Sequence, residues 1–230
     1  MSSDRKRTII AGSLYIFGTV AGILSIAPEI DSSDYLLKVS ENANQVIFAA
    51  LFQFIMTIAY VGFAITLYPI LRNYNESLAL GFLSFRIIAA VLNIVGFIIL
   101  LLLLSLSQKF VMAGMPDSSF FQTLGDLLRS GRDFMNHVAM ILASSVGGLI
   151  FYYLLYQTKL VPRWLSIWGL FGTIFTILAS FLIMYQIIDI ITTIYFVLNF
   201  PLILSELTLA IWFIIKGFNI KVLSSIATYE

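Results

Sequence analysis

The sequence contains no cysteine, and this absence excludes several kinds of chemistry at once. Without cysteine the chain has no disulfide, no thiolate metal ligand, no cysteine nucleophile and no iron–sulfur ligand. Histidine is almost as scarce. Because His137 is the only one, zinc motifs that need two histidines, such as His-Glu-x-x-His, are excluded too. The chain also lacks a glycine-rich phosphate loop and a dinucleotide-binding fingerprint, so we expect no cofactor and no metal.

Charged residues are also few. They make up only 11% of the chain, whereas hydrophobic residues make up 60% and the mean hydropathy is +0.99. A soluble domain has about 25% charged and about 45–50% apolar residues, so this composition predicts an integral membrane protein whose main partners are membrane lipids. The net charge is +1 and the longest basic run is Arg5-Lys6-Arg7, which argues against nucleic acid as a partner.

Six apolar stretches are long enough to cross a bilayer, for which about 20 helical residues are needed. The fold class predicted is therefore all-α, a polytopic membrane bundle that forms one domain over residues 1–230. Cleavage of the first stretch as a signal peptide is the alternative there, but its length favours a retained span. The predicted spans cover approximately residues 8–27, 45–71, 78–104, 134–157, 164–187 and 192–216.

The distribution of lysine and arginine predicts the orientation, because cytoplasmic loops are enriched in both. Six spans place both termini on one side, and the sequence then has eight basic residues on that side and four on the other. We therefore predict cytoplasmic termini in the plasma membrane. The eight are Arg5, Lys6, Arg7, Arg72, Lys159, Arg163, Lys216 and Lys221, and the four are Lys38, Lys109, Arg129 and Arg132.

The long third loop contains an amphipathic segment over residues 118–130. After Pro116-Asp117-Ser118, which resembles a helix start, apolar residues recur at helical spacing: Phe120, Phe121, Leu124, Leu127 and Leu128. This pattern predicts a helix at the outer membrane interface. One interpretation is a helix that lies at the membrane surface or packs on the bundle as a plug. The other is a lid over an outer opening.

Several helix-end motifs together resemble a known family, the prokaryotic six-span proteins called domain of unknown function 4386. The resemblance extends from about Arg7 to Phe218 and implies a six-span topology, but no activity, substrate or cofactor. Its motifs are Leu67-Tyr68-Pro69-Ile70-Leu71-Arg72, Glu76-Ser77-Leu78-Ala79-Leu80-Gly81, Phe85-Arg86, Leu160-Val161-Pro162-Arg163-Trp164-Leu165 with Gly169, and Pro201, Glu206, Trp212 and Lys216-Gly217-Phe218.

Small residues recur at four-residue spacing within the spans, a pattern that lets helices approach closely in lipid. We expect these stripes to pack helices within the chain, with a homo-oligomer face as the alternative. The stripes are Gly18 and Gly22; Ala139, Ala143 and Gly147; Ser144 and Gly148; and Gly172, Thr176 and Ser180.

His137 and Asp133 are the only candidates for catalysis, and they are weak ones. Their i,i+4 spacing would let the two side chains touch. Ser144 lies about 10 Å further along the helix, which is too far for a nucleophile that His137 activates. We favour an interfacial histidine hydrogen-bonded to Asp133 or to water over an intramembrane hydrolase or transferase.

Two charges lie inside predicted spans, where insertion of a charge costs about 2.5–3.5 kcal/mol and the group usually faces a partner or a cavity. Counting from the cytoplasmic helix ends places Arg86 and Glu206 at depths of about 16 and 15 Å, so they are level. Tyr60 on the second span completes an inner polar level. Asn93, Asn199 and Gln53 form an outer level one heptad away.

These two polar levels support two functional hypotheses. The first is a binding or transport site for a small or lipid-like, anionic ligand, in which Arg86 holds the anionic group and Glu206 a proton or cation. Pro201 would kink the last span beside it. The second is a non-catalytic scaffold or accessory subunit, in which the same residues only fix the helix register.

Overall fold

A computed structural model describes residues 3–114 and 119–219, and these residues form helices without any strand. The predicted helix start at Pro116-Asp117-Ser118 and the basic residue Lys221 lie outside the described residues. The helices are α1 (Ser3–Leu24), α2 (Tyr35–Glu41), α3 (Ala43–Leu71), α4 (Glu76–Met112), α5 (Ser119–Asp133), α6 (Met140–Thr158), α7 (Arg163–Met184) and α8 (Thr193–Ile215).

Six helices in the described part of the chain are long and apolar enough to cross a membrane. They are α1, α3, α4, α7, α8 and one continuous helix that joins α5 to α6. The predicted all-α bundle of six spans is therefore confirmed. A 3-10 turn at Pro28–Asp31 and the short α2 connect α1 to α3.

Local sequence signals set several helix ends. The Asn75 side chain accepts a hydrogen bond from the Leu78 amide at 3.0 Å and caps α4, and Thr192 caps α8 in the same way through the Tyr195 amide. At the end of α6, Lys159 takes a left-handed conformation (φ 57°) that stops the helix. These caps keep the connections between spans short.

The spans form a closed ring in which each helix packs mainly on two others. The order around the ring is α1, α3, α4, α6, α7, α8 and back to α1, so α4 and α8 lie opposite each other. We call the end where α1, α4 and α7 begin the basal end, and the other end the distal end. The predicted cytoplasmic side corresponds to the basal end.

Aromatic side chains fill the basal half of the ring. The Phe82 and Phe151 rings stack with centroids 4.7 Å apart, and Phe63 packs edge-on against both. Phe213 and Tyr152 are also buried in this basal core. Buried aromatic rings contribute both apolar area and specific ring geometry, so this half of the ring interior is closed.

A second core lies at the distal end, where α2 packs against α4. It contains Tyr35 and Leu36 of α2 with Leu100 and Leu103 of α4. Three apolar side chains of the amphipathic segment pack on it: Phe121, Leu124 and Leu128.

The amphipathic segment forms helix α5, but α5 is not separate from the spans. It continues through a π-helical turn at Phe134–Ala139 into α6, which makes one helix from Ser119 to Thr158. The 37 residues of α4 extend about 55 Å, well beyond a hydrocarbon core of about 30 Å. Helix α4 is therefore longer than a span needs to be, and it packs against α5.

Glycines of the predicted small-residue stripes face neighbouring helices of the same chain. A Cβ at Gly18 would come within 2.9 Å of the Tyr60 ring, and one at Gly172 within 2.7 Å of the Leu202 backbone. These contacts join α1 to α3 and α7 to α8 at distances that only glycine permits.

Candidate ligand site in the ring interior

The distal half of the ring encloses two adjoining cavities. The outer cavity has a volume of about 560 Å³ and begins near Pro28, Asp31 and Arg132 at the distal end. The inner cavity has a volume of about 260 Å³ and reaches Arg86 and Glu206. Four residues line both cavities, namely Met56, Asn93, Met140 and Ile141. Together the cavities lead from the distal end to the middle of the bundle.

Arg86 and Glu206 meet at the floor of the inner cavity. They come from opposite helices of the ring, α4 and α8, and Arg86 Nη2 lies 3.8 Å from Glu206 Oε1. The side chains are only 10% and 20% exposed. A charge-assisted hydrogen bond is usually about 2.7–2.9 Å long, so this ion pair is stretched. The depth estimate from the sequence correctly brought these two residues together.

The Arg86 guanidinium retains unused hydrogen-bonding capacity. Its Nε is buried and has no hydrogen-bond partner among the described residues. Its central carbon lies 5.8 Å from the Phe63 and Phe82 ring centroids and 6.0 Å from that of Tyr60. Aromatic faces stabilise a guanidinium without consuming its donors, so the Nε–H group of Arg86 is left as an unsatisfied donor.

The basal side of the ion pair is tightly packed. The space left between Arg86, Glu206 and the aromatic core has a volume of only about 10 Å³ and is bordered by Phe63, Phe151 and Tyr152. That is about the volume needed for one water molecule. The open space within the ring therefore ends at the ion pair.

Two tyrosines of the ring interior lie beside the ion pair. Tyr60, predicted for the inner level, has its hydroxyl 3.4 Å from Thr19 Oγ1. Tyr15 borders both the inner cavity and the small basal gap, and its ring centroid is 5.1 Å from that of Tyr60. Tyr15 was not among the predicted site residues, although a tyrosine in the middle of an apolar span was a signal that could have identified it.

Gln53 and Asn93 meet at the outer polar level, as the spacing predicted. Gln53 Nε2 donates to Asn93 Oδ1 at 2.8 Å, and Asn93 Nδ2 donates to Thr57 Oγ1 at 2.7 Å. The third amide of this buried network is Asn136, whose Oδ1 accepts from Gln53 Nε2 at 3.0 Å.

Asn199, the third residue predicted for the outer level, does not join this network. Its Nδ2 donates to the Tyr195 carbonyl of its own helix at 2.8 Å, and the residue borders the inner cavity. Asn136 was not among the predicted site residues, because it lies in the π-helical turn, where residues follow a wider period than in an α-helix. An amide near the end of an apolar span was the available signal.

His137 and Asp133 have different partners. His137 Nδ1 shares a hydrogen bond of 2.9 Å with the Tyr195 hydroxyl, whereas Asp133 Oδ1 lies 3.0 Å from Arg132 Nη1. The expected contact between them assumed the period of an α-helix, and the π-helical turn changes that period. Ser144 Oγ donates to the Ile141 carbonyl at 3.0 Å, so it is engaged within its own helix.

Comparison with known proteins gives a family and no further relatives. The family described as "Domain of unknown function (DUF4386)" matches residues 10–217. No curated protein and no solved structure matches the chain. Because the match covers most of the chain, the protein belongs to the DUF4386 family.

Proposed function

We propose that the protein binds a small or lipid-like molecule with an anionic group in the ring interior, beside Arg86 and Glu206. The observation that carries this proposal is the inner cavity of about 260 Å³ next to a stretched ion pair with an unpartnered Arg86 Nε. Charges within a membrane usually face a partner or a water-filled cavity, and these residues have a partner and border a cavity.

The lining of the inner cavity suits an amphiphile. Arg86 offers donors for a carboxylate or phosphate, while Glu206 carries a proton or accepts a hydrogen bond from a ligand hydroxyl or amine. Apolar side chains such as Met56, Met140 and Leu202 line the remaining wall. A ligand with one polar end and an apolar body would satisfy both kinds of surface.

The proposed site opens toward the distal end. The outer cavity adjoins the inner one there, whereas the aromatic core closes the basal side. If the protein transports its ligand, Phe63, Phe82 and Phe151 form the barrier that must open, since alternating access exposes one fixed site to each side in turn.

A scaffold or accessory-subunit role is the second candidate. The network of Gln53, Asn93, Thr57 and Asn136 favours it, because these buried polar groups satisfy one another and fix the register of three helices without any ligand. The third hypothesis, a hydrolase or transferase, has less support because His137 and Asp133 have separate partners.

We also propose that the basal end faces the cytoplasm and that the membrane is the plasma membrane. The excess of lysine and arginine at that end supports this orientation. Single cysteines at Glu41 and Glu76, introduced into a chain without cysteine, can be labelled in intact cells with a membrane-impermeant maleimide. We expect labelling at residue 41 and not at residue 76, and the reverse pattern contradicts the orientation.

The proposed binding site can be tested by filling the inner cavity. Ala90 lines this cavity, while the neighbouring Val91 is 55% exposed on the outside of the ring. Wild type, Ala90→Phe and the matched control Val91→Phe are extracted from native membranes into nanodiscs, and the retained small molecules are identified by mass spectrometry. We expect wild type and Val91→Phe to retain a molecule that Ala90→Phe has lost.

Two results of this experiment argue against the proposed site. In the first, wild type retains no molecule beyond those in empty nanodiscs. In the second, Ala90→Phe retains the same molecule as wild type while both proteins remain folded. Either result favours the scaffold hypothesis.

A further inference from the structure

A second cleft lies at the basal end, away from the ring interior. Its volume is about 620 Å³, and it lies between the loop that joins α6 to α7 and the residues that follow α8. Three of its lining residues are cations: Lys159, Arg163 and Lys216. Pro162 and Trp212 provide apolar walls.

The backbone around this basal cleft is fixed by specific contacts. The Asn219 amide donates to the Leu160 carbonyl at 2.9 Å, and Trp212 Nε1 donates to the Gly217 carbonyl at 3.1 Å. Leu160 and Phe218 are 0% and 5% exposed, which anchors both segments in the basal core. The three cations are therefore carried by two segments that are held together.

The charge in the basal cleft is not neutralised by the described part of the protein. None of the three cations forms an ion pair with a described residue, and no described carboxylate lines the cleft. The Arg163 guanidinium lies 5.0 Å from the Tyr156 ring centroid, a contact that leaves its N–H donors free. Three positive charges around one concave surface attract an anion.

The basal cleft lies at the level where lipid headgroups are expected. All three tryptophans of the chain, Trp164, Trp168 and Trp212, are near the basal ends of α7 and α8. Tryptophan is enriched at the boundary between hydrocarbon and headgroups, so these residues mark that boundary. The exposed cations beside them then lie among the lipid phosphates.

We propose that the basal cleft binds the phosphodiester headgroup of an anionic phospholipid. Basic pockets between transmembrane helices recognise such headgroups, because lysine and arginine contact the phosphate while apolar walls contact the upper part of the acyl chains. Free phosphate shares the charge but has no apolar part to contact Pro162 and Trp212. This site is independent of the ligand proposed for the ring interior.

The test compares two variants that remove equal charge from the basal end. Lys159→Gln with Lys216→Gln removes two cations from the cleft. The matched control, Lys6→Gln with Arg72→Gln, removes two exposed cations that do not line it. Each protein is placed in nanodiscs of phosphatidylcholine alone or of phosphatidylcholine with phosphatidylglycerol. Thermal melting and native mass spectrometry then report stabilisation and retained lipid.

We expect phosphatidylglycerol to raise the melting temperature of wild type and of the control, and to remain bound to both. The cleft variant should lose most of this shift and most of the retained lipid. If the cleft variant fails to fold, Lys216→Gln alone is compared with Lys6→Gln by lipid retention.

Three results overturn the proposal. One is the absence of any difference between the two lipid compositions for wild type. Another is an equal loss in the cleft variant and the control, which indicates a diffuse surface attraction. The third is an equal stabilisation by inorganic phosphate or glycerol 3-phosphate in phosphatidylcholine nanodiscs, which assigns the cleft to a soluble phosphate compound.

Discussion

Gly96 permits a close contact between α4 and the π-helical turn. A Cβ at this position would overlap the Asn136 amide oxygen, which accepts a hydrogen bond from Gln53. We predict that Gly96→Ala displaces Asn136 and leaves a buried amide unsatisfied, at a cost of about 1–3 kcal/mol. Thermal melting of the purified protein measures this loss.

Gly131→Ala is the matched control for this change. A Cβ there would meet only the end of the Ile99 side chain at 3.9 Å, an ordinary contact. Because alanine favours a helix over glycine, the control should be neutral or more stable by up to about 1 kcal/mol. Equal melting temperatures for Gly96→Ala and wild type would show that the Asn136 oxygen is not held against α4.

Tyr35 gives a pH-dependent prediction outside the spans. The residue is 2% exposed, and its hydroxyl donates to Asp126 Oδ1 at 2.8 Å. Burial, reinforced by this hydrogen bond, raises the pKa of Tyr35 well above its usual value of about 10. The folded protein therefore holds the phenolic proton more tightly than the unfolded chain does.

The sign of the pH effect follows from this difference. The stability that Tyr35 contributes is fully present below about pH 10 and decreases above it, because the unfolded chain loses its phenolic proton first. We predict that Tyr35→Phe is less stable than wild type by about 1 kcal/mol at pH 8 and that the difference narrows above pH 10. A constant difference across this range contradicts the prediction. Tyr185→Phe, at a residue that is 71% exposed, is the control for loss of a hydroxyl.

At the scale of whole elements, Arg5 joins the first span to the last. Its guanidinium donates to the carbonyls of Phe213, Ile214 and Ile215 at 2.7, 2.5 and 2.9 Å. The last carbonyls of a helix have no partner within the helix, and a cation there also interacts favourably with the helix dipole. Arg5 therefore closes the ring between α1 and α8 at the basal end.

We predict that Arg5→Gln loosens this closure and lowers the free energy of unfolding by about 1–3 kcal/mol. The adjacent Lys6→Gln removes the same charge from an exposed side chain and should have little effect. Chemical unfolding in detergent compares the two variants, and hydrogen exchange should show faster opening of the last turn of α8 in Arg5→Gln alone. The same effect in both variants would assign the loss to surface charge instead.

The number of spans could be predicted because the membrane itself imposes it. A spanning helix must satisfy its backbone internally and must be apolar over a fixed length, so apolar length alone indicates it. The relation of α5 to the fourth span could not be predicted in this way. The charged residues before this span suggest the end of a loop, namely Arg129, Arg132 and Asp133. The helix nevertheless continues through them into the π-helical turn.

The candidate site was predictable only where a regular helical period applied. The predicted depth of Arg86 and Glu206 in the membrane depends on the helical rise alone, and the structure places the two residues together. Asn136 lies in the π-helical turn and escaped that reasoning. The hydrogen-bond partner of Asn199 was not predictable either, because an asparagine in a helix can bond to its own backbone, as Asn199 does.

At the scale of the whole molecule, the ring order gives the ion pair a special position. Helices α4 and α8 are opposite members of the ring, and Arg86 and Glu206 link them across the interior. The pair also separates the open distal half from the closed basal half. One interaction therefore connects the stability of the ring to the shape of the proposed site.

A double-mutant cycle separates these two roles. Loss of one partner from a buried ion pair costs about 3–5 kcal/mol, because the other charge is left unpaired. We predict such losses for Arg86→Ala and for Glu206→Ala, and a smaller loss for the double variant than the sum of the two. Thermal melting of each protein, with Ile88→Ala as a control on the exposed side of α4, measures the coupling.

The same proteins, melted with and without native lipid extract, test whether the pair also serves a ligand. A scaffold predicts the non-additive losses alone, with an unchanged response to the extract. The proposed binding site predicts, in addition, that the stabilisation of wild type by the extract disappears in both single variants and persists in Ile88→Ala, because Arg86 and Glu206 line the proposed site and Ile88 does not. Additive losses with an unchanged response would exclude both roles. They would show that Arg86 and Glu206, although 3.8 Å apart, neither stabilise each other nor bind a ligand.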